Sequence, residues 1–430
     1  MSRNSNETKV KSRNPWLWVP SVYIAEGVPY MIAMTVSVVL YKNLGLSNTQ
    51  IALYTSWLYL PWVIKPLWSP FVDLFRTKRF WIVLMQLAIG ASFAAVALTL
   101  PASDFVRYTL AMFWIMAFSS ATHDIAADGF YMLGLSTPEQ AAFVGVRTIF
   151  YRIATIASKG GLVILAGFLQ KNGHAVTSAW SITFLVAGAF FLALCLYHFF
   201  VLPYPEADHS AHLKEGKNPI AEYFRILTLF FRQKNILLIV CFLLFYRFAE
   251  AQLVKMVAPF LLDARAAGGL GLTTAEVGVI YGTIGVVALM LGGLLGGYVI
   301  YRHGLKFWLW PMVIIMHVPD LIFVYLSHAQ PESLWFIGAA VACEQFGYGF
   351  GFTAYTMYLI MVSQGEYKTV FYAIGTGIMA LGMMLPAMSS GWIQDKLGYI
   401  NFYYWILFTT IPGFIVTALI KVEPGYGKKN

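Results

Sequence analysis

Charge is scarce in this sequence. Asp, Glu, Lys and Arg make up only 11% of its 430 residues, where soluble globular proteins carry roughly 25%. A soluble chain of this length would form about three domains and would need polar side chains to cover them. Too few are present, which excludes a soluble fold. Cysteine is scarce as well: Cys195, Cys241 and Cys343 all fall inside apolar stretches, so neither a disulfide framework nor a CxxC metal site is expected. The polar arm from Met1 to Asn14 leads into no apolar run ending at a small-residue cleavage site, and no cleaved signal peptide is expected. Ten-residue stretches of alternating hydrophobicity are missing, which disfavours a membrane β-barrel. No G-x-x-x-x-G-K-(S/T) loop is present to hold a nucleotide. The formal charge of +9 does not indicate nucleic acid, because the basic residues sit in short segments between apolar runs instead of on one surface.

What the sequence has in abundance is apolar length, with 59% hydrophobic residues. A helix needs about 20 mainly apolar residues to cross a bilayer core. Twelve runs qualify, over 16–41, 50–75, 80–100, 105–133, 141–170, 178–202, 235–262, 274–301, 306–327, 333–361, 366–394 and 400–421. The chain therefore reads as an all-α polytopic membrane protein. A polar stretch holding Pro203, Pro205, His209, His212, Lys214, Lys217 and Pro219 parts six helices from six. The expected organisation is an arm over 1–15, a bundle over 16–202, a central loop over 203–234, a second bundle over 235–421 and a tail over 422–430. With the arm in the cytoplasm, 18 loop Lys and Arg lie on that side, against five (Lys42, Arg107, Lys171, Arg265 and Lys396) on the other. The positive-inside rule then puts both termini in the cytoplasm.

The two halves share a weak repeat. The loop from Ser69 to Arg79, with Asp73, Arg76, Lys78 and Arg79, lies about 228 residues before its counterpart from Gly297 to Lys306. Both resemble the loop signature of the major facilitator superfamily, G-x-x-x-D-(R/K)-x-G-(R/K)-(R/K). Gln170 and Gln394 correspond at an offset of about 224 residues. Such repeats imply two six-helix bundles with a site between them at mid-depth.

Six cations (Lys65, Arg147, Arg152, Lys159, Arg247, Lys255) and six acids (Glu26, Asp124, Asp128, Glu250, Asp320, Glu344) lie within the predicted helices. Each costs about 2.5–3.5 kcal/mol or more at mid-bilayer, so they must face an interior or a cavity. Arg152 and Lys159 are seven residues apart on one face of the fifth helix, and their repeat counterparts are Thr376 and Met383. A cationic stripe in one half alone suits an anionic ligand; internal ion pairing is the alternative. Asp124 and Asp128 share a face of the fourth helix. Asp128, nearer its end, has Arg76, Lys78, Arg79 and Arg147 as candidate partners for a gate between the halves. Asp124 is deeper and reads equally as functional or structural. His123 titrates in the useful range, yet reads also as a satisfied helix contact. Arg247 and Glu250, three apart, suit an ion pair on one helix. Glu250 equally suits a proton carrier, because a low dielectric favours the neutral carboxyl and the guanidinium favours the charged one. Glu344 adjoins Gly347, Gly349 and Gly351, which permit close packing. Glu26-Gly27-Val28-Pro29 suggests a bent or broken first helix lining the cavity. Lys65 is ambiguous between Pro61 and Pro66, and Asp320, after Pro319, reads as structural.

At these residues the chain resembles the AmpG-like permeases. The resemblance runs through Trp68-Ser69-Pro70-Phe71-Val72-Asp73, Ala121-Thr122-His123-Asp124-Ile125-Ala126-Ala127-Asp128, Tyr151-Arg152 with Gly160-Gly161, Tyr246-Arg247 with Glu250, Ala275-Glu276-Val277-Gly278-Val279, and Glu344. It implies a major facilitator fold and a proton-coupled symporter. Its substrate would be an anionic sugar, GlcNAc-anhydro-MurNAc or anhydromuropeptides, imported through a bacterial inner membrane during peptidoglycan recycling. Arg152, Lys159, Glu26, Tyr151 and Glu344 would meet the substrate. Glu250, Asp124, Glu344 and Arg247 would handle protons, and Asp73, Arg76, Asp128 and Arg147 would gate. No cofactor, metal, nucleic acid or enzymatic activity is expected, and the partners are the sugar, protons and the lipid bilayer around a monomer. His123 and Lys159 depart from the usual pattern, and Arg247 with Glu250 stands where Lys and Asp are usual. A permease for another acidic saccharide or an acyl-CoA-like anion is therefore an alternative. A membrane-embedded transferase is a further one, although the short loops offer it no platform.

Overall fold

The computed structural model describes residues 13–206, 208, 225, 227–364 and 368–429, and among them there is no strand. In the first half, α1 runs Val19–Met31, through a π turn Ile32–Val36, to Ser37–Asn43. Helix α2 comprises Asn48–Trp57 and Leu60–Leu74, α3 is Lys78–Thr99, and α4 is Phe105–Gly134. Helix α5 is Thr137–Thr155, a π turn Ile156–Leu162, and Val163–Lys171, and α6 is Val176–Val201. In the second half, α7 comprises Ile236–Phe245 and Phe248–Leu262. Helix α8 is Thr274–Val277, a π turn Gly278–Ile284, and Gly285–His303. Helix α9 is Leu305–His317, a 3₁₀ turn Val318–Asp320, and Leu321–Ala329, and α10 is Leu334–Val362. Helices α11 and α12 share the stretch Lys368–Thr409 and part at Gly398 (φ 71°, ψ 167°), after which α12 continues as Ile411–Leu419. The predicted spans thus stand to within a few residues. Most of the predicted central loop, including His209, His212, Lys214 and Lys217, lies outside the described residues.

Among the described residues, eight stretches are long and apolar enough to cross a membrane by length and composition alone, and one of them, Val370–Leu419, holds two helices. The remaining spans are the interrupted α2 and the polar or glycine-rich α4 and α10. The first helix is not broken, as Glu26-Gly27-Val28-Pro29 suggested: Pro29 is followed by a π turn and the backbone stays helical. Gly27 instead serves packing, since a Cβ there would lie 2.8 Å from Ala154 Cβ of α5. The glycines of α10 behave as expected. A Cβ on Gly349 would lie 2.0 Å from the Leu289 carbonyl of α8, and one on Gly347 would lie 2.3 Å from the Ile315 carbonyl of α9.

The halves meet along α5 with α8, and along α2 with α11 and α7. At the face opposite the termini this seam is sealed by polar bonds. Lys42 pairs with Asp263 at 2.6 Å. Asn48 Nδ2 donates to Gln394 Oε1 at 2.6 Å and to Tyr399 Oη at 3.0 Å, and Tyr399 donates to Asp263 at 2.6 Å. Thr49 donates to Asp395 through both backbone and hydroxyl. On the other seam, Thr274 donates to Asn43 at 2.9 Å and to Gln170 at 3.2 Å. The glutamines matched in the repeat therefore take equivalent positions: Gln170 meets the start of α8, and Gln394 meets the start of α2. Both of those starts are capping boxes, Ser47 with Gln50 and Thr273 with Glu276, 226 residues apart.

Removing one acceptor of this seal should loosen it. A hydrogen bond to a charged group contributes about 1.5–3 kcal/mol. Asp263→Asn strips Lys42 of its counter-charge, so a cysteine placed at Thr55, buried on the α2–α7 seam, should react with a polar thiol reagent roughly ten times faster or more. An unchanged labelling rate would show that the network does not hold the face shut.

Candidate functional site

Below the seal, toward the termini, the first half offers a wall of charge. Lys65 of α2 pairs with Asp124 of α4 at 2.5 Å. Arg147 of α5 pairs with Asp128 at 2.9 Å, and Tyr23 donates to the same carboxyl at 3.1 Å. The Arg147 guanidinium also lies over the rings of Tyr23 and Tyr131, at 4.6 and 5.2 Å. Asp124 and Asp128 do share one face of α4, as their spacing predicts, and each has taken one cation. Both pairs are internal to the first half, and Arg147 is one of the partners expected for Asp128. Arg76 has its guanidinium 5.7 Å from the Phe80 ring. The side chain of Asp73 lies outside the described residues. Glu26 is half-buried among these groups, in the field of Asp124 and Asp128, and its Oε2 is buried without a hydrogen-bond partner.

Helix α5 carries the two cations singled out for an anion. They do not stay on a simple shared face, because the π turn Ile156–Leu162 intervenes and closes its hydrogen bonds over five residues instead of four. Lys159 is buried, with Nζ 3.2 Å from the centre of the Tyr281 ring of α8. It also lies within electrostatic range of Glu344 and Glu250. Close approach of the two π turns depends on glycine: a Cβ on Gly282 would lie 2.2 Å from the Lys159 carbonyl. Arg152, nearer the termini, is half-buried and makes no hydrogen bond or ion pair among the described residues, and its nitrogens are not sealed from solvent. Tyr151, half-buried beside it, lends its backbone to the contact with Gly27.

In the second half the expected ion pair is not formed. Helix α7 breaks at Tyr246–Arg247, and the Arg247 guanidinium turns to α10, where it donates to the Tyr348 hydroxyl and lies 4.6 Å from the Phe352 ring. A helical i, i+3 pair requires a continuous helix, and the break removes it. Glu250 is fully buried, and no donor group reaches either of its oxygens. Its contact is the carboxyl of Glu344, which itself accepts the Gln345 amide at 3.0 Å. Glu250 and Glu344 therefore come together from α7 and α10, while Arg247 turns to the α10 aromatics and stays within electrostatic range of Glu250.

Sequence reasoning missed several residues. Lys255 was counted among the buried cations without a role. Its Nζ crosses from α7 to donate to Thr55 of α2 at 3.0 Å, 5.6 Å from the Tyr59 ring. Lys159 and Lys255 thus each rest beside a tyrosine of the opposite half. Asn43, Asn48 and Asp263 fall outside the predicted spans, and the recurrence of two capping boxes at the repeat distance is the signal that points to them. His123 is a buried core group: Gln86 donates to its Nε2 at 2.9 Å, the Gln86 carbonyl accepts from His198 at 2.9 Å, and its Nδ1 has no partner among the described residues. Among the described residues, no three His, Cys, Asp or Glu side chains are grouped to hold a metal ion.

Comparisons with known proteins agree with this architecture. Residues 22–385 match the model of the Major Facilitator Superfamily. The anhydromuropeptide permease of Escherichia coli K12 is 25% identical over 374 residues, which cover 86% of this chain and 72% of that one. A protein of Rickettsia conorii named putative transporter AmpG 4 is 23% identical over 414 residues, 93% of this chain and 95% of that one. The crystal structure of a D-xylose-proton symporter superposes with a TM-score of 0.70 at 13% identity, covering 96% of this chain and 98% of that one. With the family model matched over most of its length, and with two helical bundles meeting around buried charge, the chain belongs to the major facilitator superfamily and is a multi-pass membrane transporter, not an enzyme.

Proposed function

We propose that the protein imports an anionic sugar together with protons, and that the sugar is GlcNAc-anhydro-MurNAc or a peptide-bearing form of it. The observation that carries this reading is Arg152. A guanidinium that still reaches solvent and has no counter-charge among the described residues is free to take an anion, and an anionic ligand entering between the halves supplies one. Lys159, further in and over the Tyr281 ring, extends the positive wall. The other cations of the first-half wall, Lys65 and Arg147, are already neutralised by Asp124 and Asp128. The permease named for anhydromuropeptides, similar along most of this chain, supports the choice of sugar. An aromatic-rich interior suits a saccharide ring.

Protons enter through the Glu250–Glu344 contact. Two carboxylates in one buried site cannot both be charged without strong repulsion, so such a pair shares a proton. Anion binding near Lys159 competes for the positive field that both acids feel, and by linkage it alters their hold on that proton. Sealing of the face opposite the termini fits one stage of an alternating-access cycle. The excess of basic residues in the loops on the terminal side supports a reading with both ends in the cytoplasm, the likeness to a bacterial permease supports an inner-membrane location, and one chain is taken as the working unit.

Radiolabelled uptake into proteoliposomes tests both parts. A guanidinium holds a carboxylate in a two-pronged geometry that an ammonium cannot copy. Arg152→Lys should therefore weaken substrate binding roughly tenfold or more, and Arg152→Ala further still. Parent-like affinity in a folded Arg152→Ala protein would refute the anion contact. Glu250→Gln imitates a permanently protonated carboxyl. It should keep substrate exchange at equal pH yet lose accumulation driven by a pH gradient; accumulation at the parental level would show that Glu250 carries no proton.

A further inference from the structure

His317 and Asp320 belong to neither the anion wall nor the Glu250–Glu344 contact. They face each other across the 3₁₀ turn that interrupts α9, with His317 Nδ1 3.5 Å from Asp320 Oδ2. Both are sealed from solvent, at 2% and 1% exposure. The other ring nitrogen settles where the imidazole hydrogen resides. His317 Nε2 lies 3.3 Å from the carbonyl oxygen of Tyr246, at the break in α7. A carbonyl can only accept, so Nε2 carries the hydrogen. In a neutral ring, Nδ1 then points a lone pair at Asp320. Neither Asp320 oxygen receives a hydrogen bond from another group of the described structure. A lone pair and a carboxylate facing each other in a dry interior repel, and an unpartnered buried acceptor is costly. A proton between them removes both penalties, whether it resides on the ring or on the carboxyl.

The surroundings make this pair part of a larger system. The titratable groups that face it are Glu250 from α7 and Glu344 from α10, both within electrostatic range of Asp320. Arg247, the nearby cation of α7, is turned toward Tyr348. Helices α10 and α12 press on the pair through glycines. A Cβ on Gly347 would lie 3.1 Å from the Pro319 ring, and one on Gly413 would lie 3.3 Å from His317 Nε2 and 3.1 Å from the Tyr246 carbonyl. His317 therefore grips the point at which α7 is broken, and Glu250 follows that point by one helical turn.

We infer that His317 and Asp320 form a second proton-holding pair, in series with Glu250 and Glu344, and that His317 ties the protonation of this pair to the break in α7. The inference rests on the proton-coupled reading above and extends it from one carboxyl contact to a two-station path. Transfer within the pair breaks an O–H bond at Asp320 and forms an N–H bond at His317 Nδ1, or the reverse, and requires nothing else.

The test has two arms. Purified parent with ring-labelled histidine should show, by infrared difference spectroscopy near neutral pH, a protonated-carboxyl or imidazolium signal. That signal should vanish in Asp320→Asn and persist in Glu250→Gln. Identical spectra for parent and Asp320→Asn would overturn the inference, and this arm needs no substrate. In proteoliposomes carrying labelled GlcNAc-anhydro-MurNAc, Asp320→Asn should preserve exchange while accumulation under a pH gradient falls roughly tenfold. Undiminished accumulation would reduce the pair to a structural contact. Should Asp320→Asn fail to fold, His317→Gln serves instead, because its amide can still donate to the Tyr246 carbonyl while Nδ1 is gone; it is held to the same two outcomes. A parent that moves no saccharide would sink the proposed substrate and leave the infrared arm to judge the pair.

Discussion

A charge placed in a medium of low dielectric demands a partner, and most of this structure can be understood as the ways in which that demand is met or left open. Lys65 with Asp124 and Arg147 with Asp128 meet it by short ion pairs. Arg247 meets it with a hydroxyl and aromatic faces, and Lys255 with a single hydroxyl of the opposite half. Arg152 leaves it open, while Glu250 and Asp320 face Glu344 and His317 with no hydrogen bond from a described donor. Removing one partner from a buried pair typically costs about 3–5 kcal/mol, so open positions are expensive to keep without a ligand that fills them. A transported anion and a proton are such ligands, and a cycle that fills and empties these positions in turn is what a coupled transporter requires.

The same demand explains the seal. Lys42, Asn48, Asp263, Gln394 and Tyr399 form one connected network in which each polar group has found another across the seam. On the parallel seam, Asn43, Gln170 and Thr274 repeat the arrangement. The two-fold character of the halves is therefore clearest at the gate and faintest at the centre, where the charges differ between halves. A gate has the same work to do on both seams. A site for one asymmetric ligand does not.

The fold was largely legible in the sequence, because twelve apolar runs and a polar interruption leave few alternatives. The buried charges were legible as a set, since Asp or Arg in an apolar run is conspicuous. Their partners were less so. Pairing of Asp128 with Arg147 was among the expected choices, and the glycines of α10 packed as their spacing suggested. The Arg247–Glu250 pair failed because spacing arguments assume a continuous helix, and neither proline nor glycine adjoins the break at Tyr246–Arg247. The shared face of Arg152 and Lys159 was altered for a related reason, a π turn at Gly160-Gly161 that residue spacing does not count. Lys255 and His317 were invisible in role because their partners, Thr55 and the Tyr246 carbonyl, are ordinary groups made special only by tertiary packing.

The central claim is that substrate and protons cross together, and it is tested most directly by following both at once. Proteoliposomes holding a pH-sensitive dye in their lumen, at equal pH on both sides, would be given GlcNAc-anhydro-MurNAc from outside while its uptake is followed by label. The account predicts acidification of the lumen in step with uptake, abolished by a proton carrier that dissipates the gradient. Uptake at full rate with no change in lumenal pH would contradict it.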